Sequence, residues 1–304
     1  MALRQAHGAR PFYVVDAFSD RPFGGNPAVV VPDAEGLSEA AMRALAAELR
    51  MEAGFVLPPT EGGDLRLRFF SAGGELDLSG HVTIATYAAL AAAGRLPRAE
   101  IVHQESRAGV LEVRLEPEEG ASPWVTLDVG RPRFGMAIER REVSDALRVG
   151  DGALALGLSP RVVTCGVPIG VAGMADPSAL QAATPDMVRL AALSRRRGIL
   201  GLALFAQPGL HPKSAVTARF FFPAVGPDED VVSGAAVAAI CAYGVRERLL
   251  ACVGVTTFQT DQGHALGRPN RAHVTVTTDS GQLANLKVRG RGAVSAQGTF
   301  VPPE

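Results

Sequence analysis

The chain carries one pattern twice. Arg68-Phe69-Phe70 leads through a Gly-rich, acidic stretch to Ser79-Gly80-His81, then into an Ala-rich run without charge that ends at Gly94. Arg219-Phe220-Phe221 leads through a second Gly- and acid-bearing stretch to Ser233-Gly234-Ala235, then into another uncharged run ending at Val245. The second copy begins 151 residues after the first, about half the 304-residue chain. Two halves of similar architecture are expected, each sending a strand through a tight loop into a buried helix. The first-turn N–H groups of such helices lack intrahelical partners, so each helix start is a potential anion site.

The two uncharged runs narrow the fold further. A surface helix shows a polar stripe, whereas His81 to Ala93 and Ala235 to Val245 show none. Helices apolar on all sides are buried ones. Short segments with alternation or β-branched content surround them: Phe12–Ala17, Ala28–Val31, Leu65–Phe70, Ile101–His103, Gly109–Leu115, Val125–Val129, Val274–Thr278 and Ala293–Ala296. Crossover helices are too few for a parallel βαβ fold. The expected class is α+β: two pseudo-symmetric domains, each a β barrel-like sheet wrapped around a central buried helix. Pro117 to Pro123, with its acids and Gly120, reads as the boundary. The expected domains are 1–120 and 121–290, with 291–304 closing the chain and returning to the first domain. Ser38 is expected to cap a helix running to about Met51. A surface helix is expected near Asp186–Leu193, and a turn-rich link at Gly263 to Asn270.

Composition excludes several classes. A net charge of −1 argues against nucleic acid or an anionic membrane as partner. Arg195-Arg196-Arg197 reads as a solvated loop or helix end. No uncharged apolar run reaches membrane-spanning length, and Met1 to Arg10 contains no signal-like stretch. The three cysteines, Cys165, Cys241 and Cys252, read as reduced thiols of a cytoplasmic protein. The six histidines never fall in metal-ligand spacing, so no metal is expected.

A set of ordered strings then covers nearly the whole chain: Val15-Asp16-Ala17-Phe18, Asp20-Arg21-Pro22-Phe23-Gly24-Gly25-Asn26-Pro27, Glu52 with Phe55-Val56, and Asp77-Leu78-Ser79-Gly80-His81-x-Thr83. Arg219-x-Phe221-x-Pro223, Glu229-Asp230-x-x-Ser233-Gly234 and Gln262-Gly263 with Gly267-Arg268-Pro269 continue it. These strings resemble the phenazine-biosynthesis PhzF-like family, related to diaminopimelate epimerase and proline racemase. The resemblance implies two similar barrel-and-helix domains with the active site in the cleft between them. It also implies a cofactor-free isomerase, commonly a homodimer, acting on a small carboxylic acid.

By that resemblance Glu52 is the catalytic glutamate, His81 the site histidine and Asp230 the second carboxylate. One carboxylate can take a proton from carbon and return it elsewhere on a conjugated system. A helix start favours a neutral imidazole at His81, which could hydrogen-bond substrate or relay a proton. Asp230 would orient His81 or a substrate amine. Gly80 and Gly234 would offer backbone N–H groups to a substrate carboxylate or enolate. Ser79, Ser233, Ala235 and Met51 would line the substrate site. The thiol racemases of the superfamily need two facing cysteines, and here Ser79 precedes Gly80 while the second loop has no cysteine. Met51, Ala53, Val231 and Ala235 stand where the phenazine enzyme has hydroxyl residues, proline or another polar residue. The pocket is therefore expected to be more apolar than that enzyme's. The expected reaction is double-bond migration in an unsaturated, proline-like amino or imino acid of natural-product (antibiotic) biosynthesis. The alternatives are an epimerase and a binding protein without turnover.

Overall fold

The computed structural model describes residues 8–223 and 228–303. The leader expectation for Met1 to Arg10 rests mostly on residues outside that range. The fold is mixed α and β, mostly sheet with few helices. The chain divides into two compact units, one comprising residues up to Leu127 together with those from Gly290, the other running from Asp128 to Arg289.

The first unit contains β1 (Arg10–Ala17), β2 (Asn26–Val31), α1 (Glu39–Leu49), β3 (Ala53–Leu57), β4 (Leu65–Ser71), β5 (Gly74–Leu76), α2 (Gly80–Ala92), β6 (Ile101–Ser106), β7 (Gly109–Glu118) and most of β8 (Ala121–Gly130). The last strand of the chain, β18 (Gly292–Phe300), pairs antiparallel with the full length of β1. From β18 the pairing runs through β1, β2, β3, β4, β6 and β7 to β8, with β2–β3 and β4–β6 parallel. β5 folds back on β4 as a hairpin.

α1 forms because Ser38 accepts the Ala41 N–H and Ala41, Met42, Leu45 and Ala46 share a buried face. It stops at Arg50, which enters the left-handed region at φ 51°. α2 has no polar stripe, and every residue from Val82 to Leu90 is buried. It packs against β1, β2, β3 and β18. Burying side chains such as Val82, Ile84 and Leu90 contributes about 1.5–3 kcal/mol each. Gly54 permits the closest approach: a Cβ there would lie 2.8 Å from Val82 Cγ1 and 2.9 Å from Thr86 Oγ1.

The second unit repeats this plan. It comprises β9 (Arg133–Ala137), α3 (Arg140–Leu147), β10 (Arg161–Cys165), β11 (Val167–Gly173), α4 (Pro177–Ala182), α5 (Met187–Arg197), β12 (Leu202–Ala206), β13 (Val216–Phe221), β14 (Glu229–Asp230), α6 (Gly234–Arg246), β15 (Val255–Gln262), β16 (Asn270–Asp279) and β17 (Gln282–Gly290). Its pairing runs β9, β10, β11, β12, β13, β15, β16, with β11–β12 and β13–β15 parallel and β14 folded back on β13. β17 follows on β16. α6 packs on β10, β11, β12 and β16. Its nine residues from Ala236 to Gly244 are buried.

The repeated triplets do the same work in both units. The Arg68 guanidinium donates two 2.7 Å bonds to Glu75 on the β5 hairpin and lies 5.0 Å from the Phe70 ring centre. Arg219 donates at 2.9 and 2.7 Å to Glu229 on the β14 hairpin and lies 4.8 Å from the Phe221 ring. Each pair pins a hairpin just ahead of the central helix.

All eight expected strand segments fall on strands. The Pro117–Pro123 stretch is the turn of the β7–β8 hairpin, and the units divide inside β8. The Arg195-Arg196-Arg197 run is the last turn of α5, where cations complement the helix dipole and Arg196 and Arg197 reach Glu142. α3 and α4 were not expected. They are short, and their sequence shows too few turns to reveal a period.

Candidate active site

Glu52 stands where α1 hands over to β3. Arg50 ends the helix, and the Met51 N–H still bonds the Ala46 carbonyl at 3.3 Å. The Glu52 carbonyl accepts the Val29 N–H of β2 at 2.9 Å, which fixes the residue at the head of the parallel β2–β3 pair. Its side chain is partly exposed, at 30%. The Met51 side chain packs with Leu37 and Leu49 against the core formed by Val29, Met42, Phe55 and Phe70.

Ser79 and His81 meet this carboxylate at the start of α2. The Ser79 hydroxyl, almost buried, donates to Glu52 Oε2 at 2.7 Å and lies 3.2 Å from His81 Nδ1. His81 Nε2 is 3.7 Å from the same Glu52 oxygen. The three side chains close a triangle. Gly80, the first residue of α2, lies between the two that come from the helix start.

The matching position in the second unit is built differently. Ser233 Oγ accepts the Ala236 N–H at 3.3 Å and so caps α6. Ser79 makes no such bond to its own helix. Gly234 opens α6, with Ala235 half-buried behind it. Asp230 lies on β14, opposite Phe220, and its carbonyl accepts from Gln262 Nε2 at 2.9 Å. Glu52, Ser79, Gly80 and His81 thus come together in the first unit, and Asp230, Ser233, Gly234 and Ala235 occupy the equivalent segment of the second.

Two of the cysteines are poor nucleophiles. Burial pushes the Cys165 thiol up to about 12. It raises Cys241 as well, helped by the neighbouring Cys165. Thiolate chemistry near neutral pH is out of reach for both. Cys252 is half-buried, with its sulfur 3.6 Å from the Val276 carbonyl. Among the described residues no cluster of three His, Cys, Asp or Glu side chains is placed to hold a metal. No helix among them is long and apolar enough to cross a membrane.

Three buried carboxylates whose roles were not foreseen shape the surrounding loops. Asp16 Oδ2 accepts the Phe23 N–H at 2.7 Å and holds the Ser19–Gly25 loop with Phe23 at φ 62°. Glu105 accepts the N–H groups of Thr60, Glu61 and Gly63 and the Thr60 hydroxyl, at 2.6–3.1 Å. Burial alone would raise this carboxyl, but those bonds outweigh it and hold the group at about 2. Asp261 ties down the loop before β13, accepting from the His211 N–H at 2.8 Å and the Ser214 hydroxyl at 2.5 Å. The available signal was positional: Glu105 and Asp261 sit one after Gln104 and Thr260 on equivalent strands β6 and β15.

Comparison with known proteins identifies the family. Residues 15–298 match the family described as phenazine biosynthesis-like protein. An uncharacterized isomerase of Deinococcus radiodurans is 33% identical, over 96% of this chain and 97% of its own. A trans-2,3-dihydro-3-hydroxyanthranilate isomerase of Pseudomonas fluorescens is 30% identical, over 95% of this chain and 99% of its own. The crystal structure of a PhzF-family phenazine biosynthesis protein from Bacillus anthracis superposes with a TM-score of 0.87 at 24% identity, covering 96% of this chain and 99% of the other. The chain belongs to the phenazine biosynthesis-like protein family, whose curated relatives are isomerases.

Proposed function

We propose that the chain catalyses proton transfer and double-bond migration in a small unsaturated amino or imino acid, with Glu52 as the shuttling acid and base. The Glu52–Ser79–His81 triangle carries this reading: a carboxylate with one oxygen held by a hydroxyl and approached by an imidazole, at the start of a helix. Such a carboxylate can take a proton from one carbon and return it to another on the same face of a conjugated substrate. First-turn N–H groups of α2, beginning at Gly80, suit the substrate carboxylate, since they point away from the helix without intrahelical partners. Asp230 takes the orienting role, and Ser233, Gly234 and Ala235 the substrate contacts, in the same reading. It needs no cofactor, and it extends to a homodimer in natural-product biosynthesis. The high thiol values at Cys165 and Cys241 speak against racemisation by a facing thiol pair using these two residues.

The test is turnover of a panel of conjugated amino and imino acids in deuterium oxide. The panel includes dihydropyrrole carboxylates and the dihydrohydroxyanthranilate that names the Pseudomonas fluorescens relative. Migration of a double bond with less than full label at the newly protonated carbon is the expected result. Glu52→Gln keeps the shape and cannot shuttle, so it should lose roughly 10²–10⁴-fold in kcat while remaining folded. Inversion of a stereocentre without migration would replace this reading with an epimerase. Near-normal turnover by the folded variant would remove Glu52 from the role.

A further inference from the structure

We infer that Ser79 is a positioning residue that fixes His81 in the tautomer protonated on Nδ1, leaving Nε2 as an open acceptor beside Glu52. This deepens the proposed function and rests on it only for the consequence in turnover. Three observations carry it. First, the Ser79 hydroxyl has one proton, and an ionised carboxylate offers only acceptors. At 2.7 Å from Glu52 Oε2 that proton is committed to the carboxylate, at the length of a charge-assisted bond. Second, the same oxygen lies 3.2 Å from His81 Nδ1. With its proton committed, Oγ presents a lone pair there, so a stable contact needs an N–H on Nδ1. The ordered chain is Nδ1–H to Oγ, and O–H to Oε2. Third, Ser79 forgoes the helix cap that its counterpart Ser233 makes on α6. A side-chain cap stabilises a helix start, and at Ser79 the hydroxyl is turned to the carboxylate instead.

The consequence is directional. A neutral His81 in this state presents a lone pair, not a donor, from Nε2. That nitrogen is 3.7 Å from Glu52 Oε2, beyond hydrogen-bond length, with 15% of the side chain exposed. It is suited to receive a proton from Glu52 or an N–H from a substrate amine. It is not suited to hydrogen-bond a substrate carboxylate. Ser79 thereby acts through its two neighbours.

Ring nitrogen shifts of His81 test this without any substrate. The full-length protein, labelled with ¹⁵N-histidine, is observed about two pH units above the ordinary histidine range. The His81 signal is assigned by its loss in His81→Gln. Wild type should show a protonated Nδ1 and an unprotonated Nε2. Ser79→Ala removes the acceptor and should return the ring to the Nε2-protonated form usual for free imidazole side chains, with the fold checked by circular dichroism. Ser79→Thr keeps the hydroxyl and should restore the wild-type pattern. An Nε2-protonated His81 in wild type, or an unchanged tautomer in folded Ser79→Ala, overturns the assignment. If the tautomer shifts as expected and a substrate has been found, Ser79→Ala should lower kcat at least tenfold with KM changed less, and Ser79→Thr should recover part of it. A tautomer shift without any turnover by wild type on the panel would leave the positioning role standing and count against the isomerase reading alone.

Discussion

One carboxylate holds the loop from Thr60 to Gly63 in place. Glu105 is almost fully buried, and its four accepted bonds hold the loop that leads into β4. Its carboxyl sits at about 2 in the folded state, against about 4.3 for an ordinary glutamate. A depressed folded value stabilises the fold fully above the unfolded value, and that contribution is lost as pH falls from the unfolded value toward the folded one. Thermal unfolding midpoints should therefore decline between about pH 4.5 and pH 2. Glu105→Gln should lower the midpoint at neutral pH and flatten that decline. An unchanged acid slope in the variant would show that other carboxylates set it. None of this was visible beforehand. An acid in a strand pattern reads as solvent-facing, and only the fold reveals three backbone donors converging on it. Glu52 entered the reading by another route: it lies between a capped helix and an apolar strand, and the family resemblance singles it out with Phe55-Val56.

At the scale of elements, the central helices are equal in length and burial but not in how they begin. Ser233→Ala removes a cap from α6 and should cost about 1 kcal/mol. Ser79→Ala removes no cap from α2, so its loss of stability should be smaller than that of Ser233→Ala in urea titrations. The reverse order would mean that the hydroxyl bond to Glu52 matters more for stability than the cap does. The seat of α2 can be probed separately. Gly54→Ala places a methyl 2.8 Å from Val82 Cγ1, and Val82 follows His81 directly. Overpacking of this kind costs about 1–3 kcal/mol. It should also cut turnover, because a small displacement of α2 against β3 separates His81 from Glu52. Stability lost with turnover retained would show that the triangle tolerates the shift. The helices themselves were plain in the sequence, since runs without charge allow little else. The differing use of the two serines was not, because both precede a glycine at a helix start.

Over the whole molecule, the duplicated Arg-Phe-Phe triplet announced the architecture, and its arginines pin the hairpins ahead of the two central helices. Arg219 is the more committed copy. Beyond Glu229 it donates to the carbonyls of Leu180, Gln181 and Ala183, and its side chain is 9% exposed against 18% for Arg68. Breaking a buried pair costs about 3–5 kcal/mol, so Arg219→Ala should approach that range and Arg68→Ala should fall below it. Equal losses in denaturant titrations would mean that the extra carbonyl contacts add nothing. The division between units was harder to read. Pro117 to Pro123 has the composition of a linker, but a two-residue turn with glycine in the left-handed region, Gly120 at φ 72°, serves a hairpin equally well.

The pairing of β18 with β1 also sets a schedule for the chain's birth. β1 gains β2 within its first thirty or so residues, but its other edge waits for Gly292–Phe300. At about 5–20 residues per second, translation leaves that edge open for roughly 15–60 s. For that interval the nascent first unit carries an unpaired strand, a surface that invites pairing with other chains. The second unit, uninterrupted in sequence from Asp128 to Arg289, has all its residues available first. The half that was made earlier is thus the half completed later.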